Sequence, residues 1–207
     1  LVGAEMCIRD RDKSLTYGGA SLALGDNTLT VTGAGTLSNP SGYVLGDPES
    51  VMKLTGTNMV SGPISLNAGV IDVDESTTLN SLTLGGSAAI DVAEEKTLTY
   101  EGAALSLGAN TLTISGAGTL SYASGYVLGD QESVLKLTGT NTVIGPVSLN
   151  AGLIDLDESS TLSSDLTLGG SATIDVAQDK TLTYGGAVSY THLRAHETEA
   201  DLVCRLL

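Results

Sequence analysis

The sequence predicts an all-β protein built as a solenoid of short strands. Three observations lead to this prediction: a long internal repeat, a period-two alternation of apolar and polar residues, and a composition without Trp or Phe. Repeats of this kind place similar short strands at regular intervals along the chain. Each coil of a solenoid buries its apolar side chains only against its neighbours. We therefore expect a stack of coils rather than a layered globular domain.

The internal repeat has an offset of 83 residues. Two pairs of matching segments illustrate it: "NTLTVTGAGTL" at 27–37 with "NTLTISGAGTL" at 110–120, and "KLTGTN" at 53–58 with the same letters at 136–141. After Leu162 the offset becomes 84, because "LNSLTL" is replaced by "LSSDLTL". The sequence therefore predicts two full copies and the start of a third, at residues 12–94, 95–178 and 179–187.

Each copy has the pattern of several short strands. In "TLTVT" the apolar Leu29 and Val31 alternate with threonines, and the same alternation runs through 70–74 ("VIDVD") and 88–93 ("AAIDVA"). Gly, Asn and Asp interrupt the pattern every few residues, as tight turns do. The extra residue near Asp165 lies between apolar strands, where a turn can absorb it without reversing the faces of the following strand.

Two architectures fit an all-β repeat of this length. Tandem Ig-like sandwiches would each centre a core on a large aromatic residue and would need linkers between domains. Here the strand pattern crosses the junction between the copies without a break, in "IDVAEEKTLTYEGA". A β-solenoid of about four coils per 83-residue copy is therefore favoured, and the sandwiches stay as the alternative. It follows that equivalent residues such as Leu66 and Leu149 should stack along one axis, about four coils apart.

One segment resembles a known family. "LKLTGTNTVIGPVSLNAGLIDLD" at 135–157 resembles the autotransporter-associated strand repeat, in which an alternating strand, a Gly-x-Asn turn and Asn-Ala-Gly precede further strands. "GAGTLS" at 33–38 and 116–121 belongs to the same pattern. The resemblance implies a right-handed parallel β-helix of the kind found in bacterial surface adhesins and secreted passenger domains. It also implies a location at the cell surface or outside the cell.

The two ends differ from the rest of the chain. Residues 1–11 and 188–207 contain both histidines, both cysteines and all four arginines. These segments resemble translations of a transposase-based sequencing-library adapter, so we predict that they are non-native tails. His192 and His196, four residues apart, and the pair Cys7 and Cys204 are then not expected to form a zinc site or a disulfide.

The charge of the chain narrows the range of partners. Residues 12–187 carry 19 Asp and Glu against five lysines, a net charge of −14. Such a field disfavours nucleic acids and anionic membrane surfaces. No apolar run reaches the roughly 18 residues of a membrane span, so membrane insertion is not expected for this fragment.

Acidic clusters recur in the two copies and are the only candidate sites. "DVDES" and "DLDES" gather oxygen ligands that suit calcium, and no other cofactor is indicated; the candidates are Asp72, Asp74, Glu75, Asp155, Asp157 and Glu158. Two aspartates at i and i+2 lie roughly 7 Å apart on a strand, near the carboxylate separation of an inverting glycosidase. Because the pair is duplicated without a nearby Arg or His, we predict solvent-facing aspartates and no catalytic residue.

Thr-x-Thr triplets and three tyrosines have simpler interpretations. An ice-matching face would need the threonine pair in every coil at one register, and most coils lack it. Outward threonines are therefore expected to be ordinary strand residues. Tyr17, Tyr100 and Tyr184 are expected to cover the core with their hydroxyls in water.

The functional prediction is a fragment of a repetitive bacterial surface or secreted adhesin or stalk. Its expected partners are a glycan or protein on a host cell or other surface, and neighbouring repeats of the same chain. The alternative is a polysaccharide-active enzyme on the same scaffold, which a single strip of clustered carboxylates with a nearby Lys would indicate.

Overall fold

The computed structural model describes residues 5–8 and 13–190, and for Glu5–Ile8 and Tyr190 the backbone alone is described. No helix in this part of the chain is long and apolar enough to cross a membrane. The described residues form 25 short strands. In chain order they are β1 (Glu5–Ile8), β2 (Ser14–Thr16), β3 (Leu22–Ala23), β4 (Thr28–Gly33), β5 (Thr36–Ser38), β6 (Tyr43–Leu45), β7 (Val51–Leu54), β8 (Met59–Leu66), β9 (Val70–Val73), β10 (Thr77–Leu84), β11 (Ala88–Val92), β12 (Thr97–Tyr100), β13 (Leu105–Ser106), β14 (Thr111–Gly116), β15 (Thr119–Tyr122), β16 (Tyr126–Leu128), β17 (Val134–Leu137), β18 (Thr142–Ile144), β19 (Val147–Leu149), β20 (Leu153–Leu156), β21 (Ser160–Leu162), β22 (Leu166–Leu168), β23 (Thr173–Val176), β24 (Leu182–Tyr184) and β25 (Val188–Tyr190).

The strands form the three faces of a right-handed parallel β-helix with about eight turns. The first face has the order β1-β4-β7-β9-β11-β14-β17-β20-β23. The second face contains β2, β5, the first halves of β8 and β10, and then β12-β15-β18-β21-β24. The third face contains β3, β6, the second halves of β8 and β10, and then β13-β16-β19-β22-β25. Every strand pairing is parallel, and this architecture confirms the solenoid over the tandem sandwiches.

The core follows from the period-two alternation of each strand. In β9, Ile71 and Val73 are fully buried, whereas Asp72 between them points outward and is half-buried. Ile71 lies in register with Met52 of the coil before it and Ile90 of the coil after it, both fully buried. The apolar columns therefore run along the axis and form one continuous core.

The two copies do not stack residue upon residue on the first face. Ile90 pairs with Ile114, and Leu112, the sequence equivalent of Leu29, pairs with Ala88. The column that contains Leu29 therefore continues to Ile114 in the second copy, two residues after the sequence equivalent of Leu29. Because the shift is even, every side chain keeps its face. On the third face Leu66 and Leu149 lie four strands apart, as predicted.

Tyr100 corrects one expectation from the sequence. Its ring is buried and stacks on Tyr122 with the centroids 3.8 Å apart, and Tyr126 lies 5.0 Å from Tyr122. The Tyr100 hydroxyl accepts a hydrogen bond from Leu82 N and donates one to Leu82 O, both at 3.2 Å. The prediction of a hydroxyl in water is therefore wrong for Tyr100, because β15 covers its ring. Tyr17, its copy equivalent, lies in the first coil and is 47% exposed.

Strands extend past both predicted limits of the solenoid. β1 lies within residues 1–11 and pairs with β4, and β25 begins at Val188 and pairs with β22. The large apolar side chains that are exposed lie mostly in the terminal coils: Leu15, Tyr17, Ile174, Val176 and Val188. His192, His196, Cys204 and the remainder of the predicted C-terminal tail lie outside the described residues.

Candidate functional site

The six carboxylates predicted as calcium candidates lie in two equivalent clusters, one in each copy. Asp72 projects outward from β9, and Asp155 projects outward from β20. Asp74 and Asp157 directly follow these strands, and Glu75 and Glu158 lie in the turns that lead to the second face. The outward direction of the aspartates agrees with their alternation with buried apolar residues.

Each aspartate pair holds a lysine from the preceding coil. Lys53 on β7 is the register partner of Asp72, and its Nζ lies 2.6 Å from Asp72 Oδ2 and 2.8 Å from Asp74 Oδ2. The second copy repeats this geometry: Lys136 Nζ lies 2.6 Å from Asp155 Oδ2 and 2.8 Å from Asp157 Oδ2. An ammonium group therefore occupies the position between the two carboxylates that a metal ion would take.

The glutamates pair with lysines from the following coil. Lys96 Nζ lies 2.9 Å from Glu75 Oε2, and Lys180 Nζ lies 2.6 Å from Glu158 Oε2. The three carboxylates of each cluster are therefore divided between two lysines and do not converge on one point. Within the described residues, no group of three or more His, Cys, Asp or Glu side chains is arranged to hold a metal ion.

The aspartates shift the pKa of the lysines that they contact. Hydrogen bonds to Asp72 and then Asp74 raise the pKa of Lys53 to about 12, against a smaller effect of burial. The same contacts, to Asp155 and then Asp157, raise the pKa of Lys136. The side chains of Lys53 and Asp74 are 35% and 44% exposed, so solvent screens these pairs. The ion pairs of each cluster therefore join residues of three successive coils.

Sequence reasoning found the carboxylates but missed the lysines that bind them. The alternation in the sequence places Lys53 and Asp72 outward, but their register one coil apart, 19 residues along the chain, comes from the structure. Asp130 and Glu132 were also missed. They line a shallow cleft with Ala109 and Ala151, where Glu132 N donates a hydrogen bond to Asp130 Oδ1 at 2.9 Å. This contact belongs to a turn and brings no further titratable side chain into the cleft.

No protein-family model, no curated protein and no solved structure matches this chain. Its class is therefore defined by its own architecture: it is a β-solenoid repeat protein in which duplicated lysine–carboxylate clusters join successive coils.

Proposed function

We propose that the chain is a segment of a bacterial surface or secreted protein, in which the solenoid serves as a stalk and as an adhesin. The observation that carries this proposal is the junction between the copies. β11 of the first copy pairs with β14 of the second along five residues, from Ala88 with Leu112 to Val92 with Gly116. Because the copies share one stack, additional copies lengthen a rod rather than add separate domains.

Two further features support an extracellular binding role. The segment at 135–157 resembles the autotransporter-associated strand repeat, and the chain has a net charge of −15, which suits a glycan or protein partner better than a nucleic acid. Neighbouring repeats of the same chain are the other proposed partner, through the ladders that continue from coil to coil. No catalytic residue, cofactor or membrane insertion enters the proposal.

The stalk role predicts how length depends on copy number. A chain with one extra 83-residue copy should be longer by about 19 Å, four coil spacings, with an unchanged cross-section. Small-angle X-ray scattering measures both quantities. An unchanged length with a larger cross-section would contradict the stalk.

The adhesin role is tested with beads coated with the full chain. They should adhere to cultured epithelial cells or to an immobilised glycan more than beads coated with the heat-unfolded chain. The rival enzymatic role predicts release of reducing ends from a polysaccharide, with loss of this activity in Asp155→Asn. Asp175→Asn, its register partner on β23, is the matched control. Such a loss confined to Asp155→Asn would overturn the non-catalytic proposal.

A further inference from the structure

The outward side chains of the second face are almost all hydroxyl-bearing. Along its strands, nine are threonine, four are serine and two are apolar. They are Ser14, Thr16, Thr36, Ser38, Met59, Ser61, Thr78, Thr97, Thr99, Thr119, Ser121, Thr142, Ile144, Thr161 and Thr183. None of these described positions is charged or aromatic. The strands of the second face thus form a neutral, hydroxyl-covered surface on an acidic molecule.

Five of the threonines form one unbroken column. Thr97, Thr119, Thr142, Thr161 and Thr183 are successive register partners on β12, β15, β18, β21 and β24. The sequence predicted that most coils would lack the Thr-x-Thr pair at one register, and among these five strands only β12 has the pair, as Thr97 and Thr99. The triplet pairs are indeed incomplete, but the variable length of the coils aligns threonines that the sequence places at irregular intervals.

The parallel ladder fixes the spacing of this array. Successive coils place the column threonines about 4.8 Å apart, and the neighbouring column lies two residues, about 7 Å, along each strand. In β12 and β15 that neighbouring column holds Thr99 and Ser121. Threonine is branched at Cβ and restricted in χ1, so the side chains vary little in direction.

The column hydroxyls are available to solvent. No hydrogen bond joins the hydroxyls of Thr97, Thr119, Thr142 or Thr161 to any described protein atom, whereas the corner residue Thr77 donates its hydroxyl to Gly56 O at 3.0 Å. The four column side chains are half-buried by their neighbours and present a methyl group and a hydroxyl together. The face can therefore order water through methyl contacts and hydrogen bonds at regular positions.

The charge distribution favours an uncharged occupant. The first face carries Lys53, Asp72, Lys136 and Asp155, but the strands of the second face carry no outward charge in the described part of the chain. A second copy would bring another net charge of −15 toward this face. A sugar would find no aromatic ring on it for stacking. Water in a regular lattice meets neither obstacle.

We propose that the second face binds ice through the threonine column and its neighbouring hydroxyls. The two spacings of the array are close to the repeat distances between water oxygens on faces of hexagonal ice, so several hydroxyls can occupy lattice positions at once. The proposal does not depend on the adhesin role, because it rests on the hydroxyl array of the second face and concerns a different occupant.

The experiment measures partition of the full chain into slowly growing ice and inhibition of ice recrystallisation. The wild type should be enriched in ice above an ice-inert globular protein, and Thr142→Lys and Thr161→Lys should fall to that background. Thr167→Lys is the matched control, because Thr167 is the outward middle residue of the three-residue β22, as Thr161 is of β21. Thr167→Lys should keep the wild-type enrichment. Far-UV circular dichroism verifies that each variant is folded.

Three results would overturn the proposal. The wild type could remain in the liquid at background level, or Thr161→Lys and Thr167→Lys could lose enrichment equally. The third result is a concentration-dependent dimer, or binding to a neutral polysaccharide, that Thr161→Lys abolishes and Thr167→Lys does not. This last result would assign the face to a second copy or to a glycan.

Discussion

Lys53 and Lys136 each offset the repulsion between two neighbouring aspartates of this acidic solenoid. Each ammonium group lies within 2.8 Å of two carboxylates from the following coil. Exposed ion pairs contribute little to stability, roughly 0.2–1 kcal/mol each. A lysine shared by two carboxylates also relieves the repulsion between them, so its removal should cost more than the loss of one pair.

Replacement of Lys53 by Gln should lower the free energy of unfolding by about 1 kcal/mol at low salt, and by less at high salt. The pKa of Lys53 is raised from 10.5 to about 12 in the folded state. The stabilisation should therefore be complete below pH 10.5 and disappear as the pH rises through about 12. Urea unfolding of both proteins across this pH range measures the difference.

Burial raises the pKa of Tyr43 to about 12, but this effect is common to both proteins and cancels. Lys13→Gln, at an exposed position, is the control, and a difference that persists undiminished at pH 12 would contradict the assignment.

The same lysines should control calcium binding. Extracellular calcium modules bind calcium with dissociation constants up to about 1 mM. In the wild type this concentration of calcium should change the Tm little, because Asp72, Asp74 and Glu75 are paired with lysines. Lys53→Gln frees Asp72 and Asp74, the two carboxylates that converge on its Nζ, and should gain a small calcium-dependent rise in Tm. Sodium chloride of equal ionic strength is the control. An equal rise in the wild type would show that calcium competes successfully with the lysines.

At the scale of the elements, the corners decide how closely the coils approach. Between the first and second faces, Gly139 lies against the backbone of Gly116, and Gly56 lies against Gly33 in the first copy. The buried Asn141 closes the same corner by donating hydrogen bonds to Ser115 O and Gly116 O, both at 2.9 Å. These contacts are between coils, so a corner residue affects the stacking of neighbouring strands.

Gly139→Ala should destabilise the protein by about 3 kcal/mol, because the new Cβ would overlap the carbonyl oxygen of Gly116. Gly129→Ala is the matched control. A Cβ at Gly129 would meet only Val127 Cγ1, at 4.0 Å, and should change the free energy of unfolding by no more than about 0.5 kcal/mol. Chemical denaturation compares the two variants, and equal costs would show that the corner can relax.

At the scale of the whole molecule, the solenoid is one stack with two edges. On the first face β23 is the last described strand, and its Ile174 and Val176 are 40% and 38% exposed. Their copy equivalents Ile90 and Val92 are fully buried, because β14 covers them. The edge of β23 therefore fits another strand of the same kind, and unpaired parallel edges promote association.

A chain of residues 12–187 should unfold in one transition, like the full chain, but self-associate at lower concentration. Its loss of β1 and β25 leaves the edges of β4 and β22 unpaired. Sedimentation velocity over a concentration series measures this, and Ile174→Lys in the shorter chain should oppose association by placing a charge at the edge. If the β signal were lost on trimming, the tails would be required for folding rather than merely for covering the edges.

The sequence by itself determined which side of each strand is buried. Period-two alternation assigns Ile71 inward and Asp72 outward without knowledge of any neighbour, and the 83-residue repeat extends this assignment to the second copy. The solenoid follows because no short coil could bury its apolar face alone.

Only the tertiary structure decided which residues of different coils meet. Coils on the first face contain 19 to 25 residues, because their corners differ in length. Register therefore depends on the summed lengths of turns, whereas alternation is a property of each strand alone. This is why the lysine partners of the carboxylates, the buried hydroxyl of Tyr100 and the column through Thr142 emerged only from the folded chain.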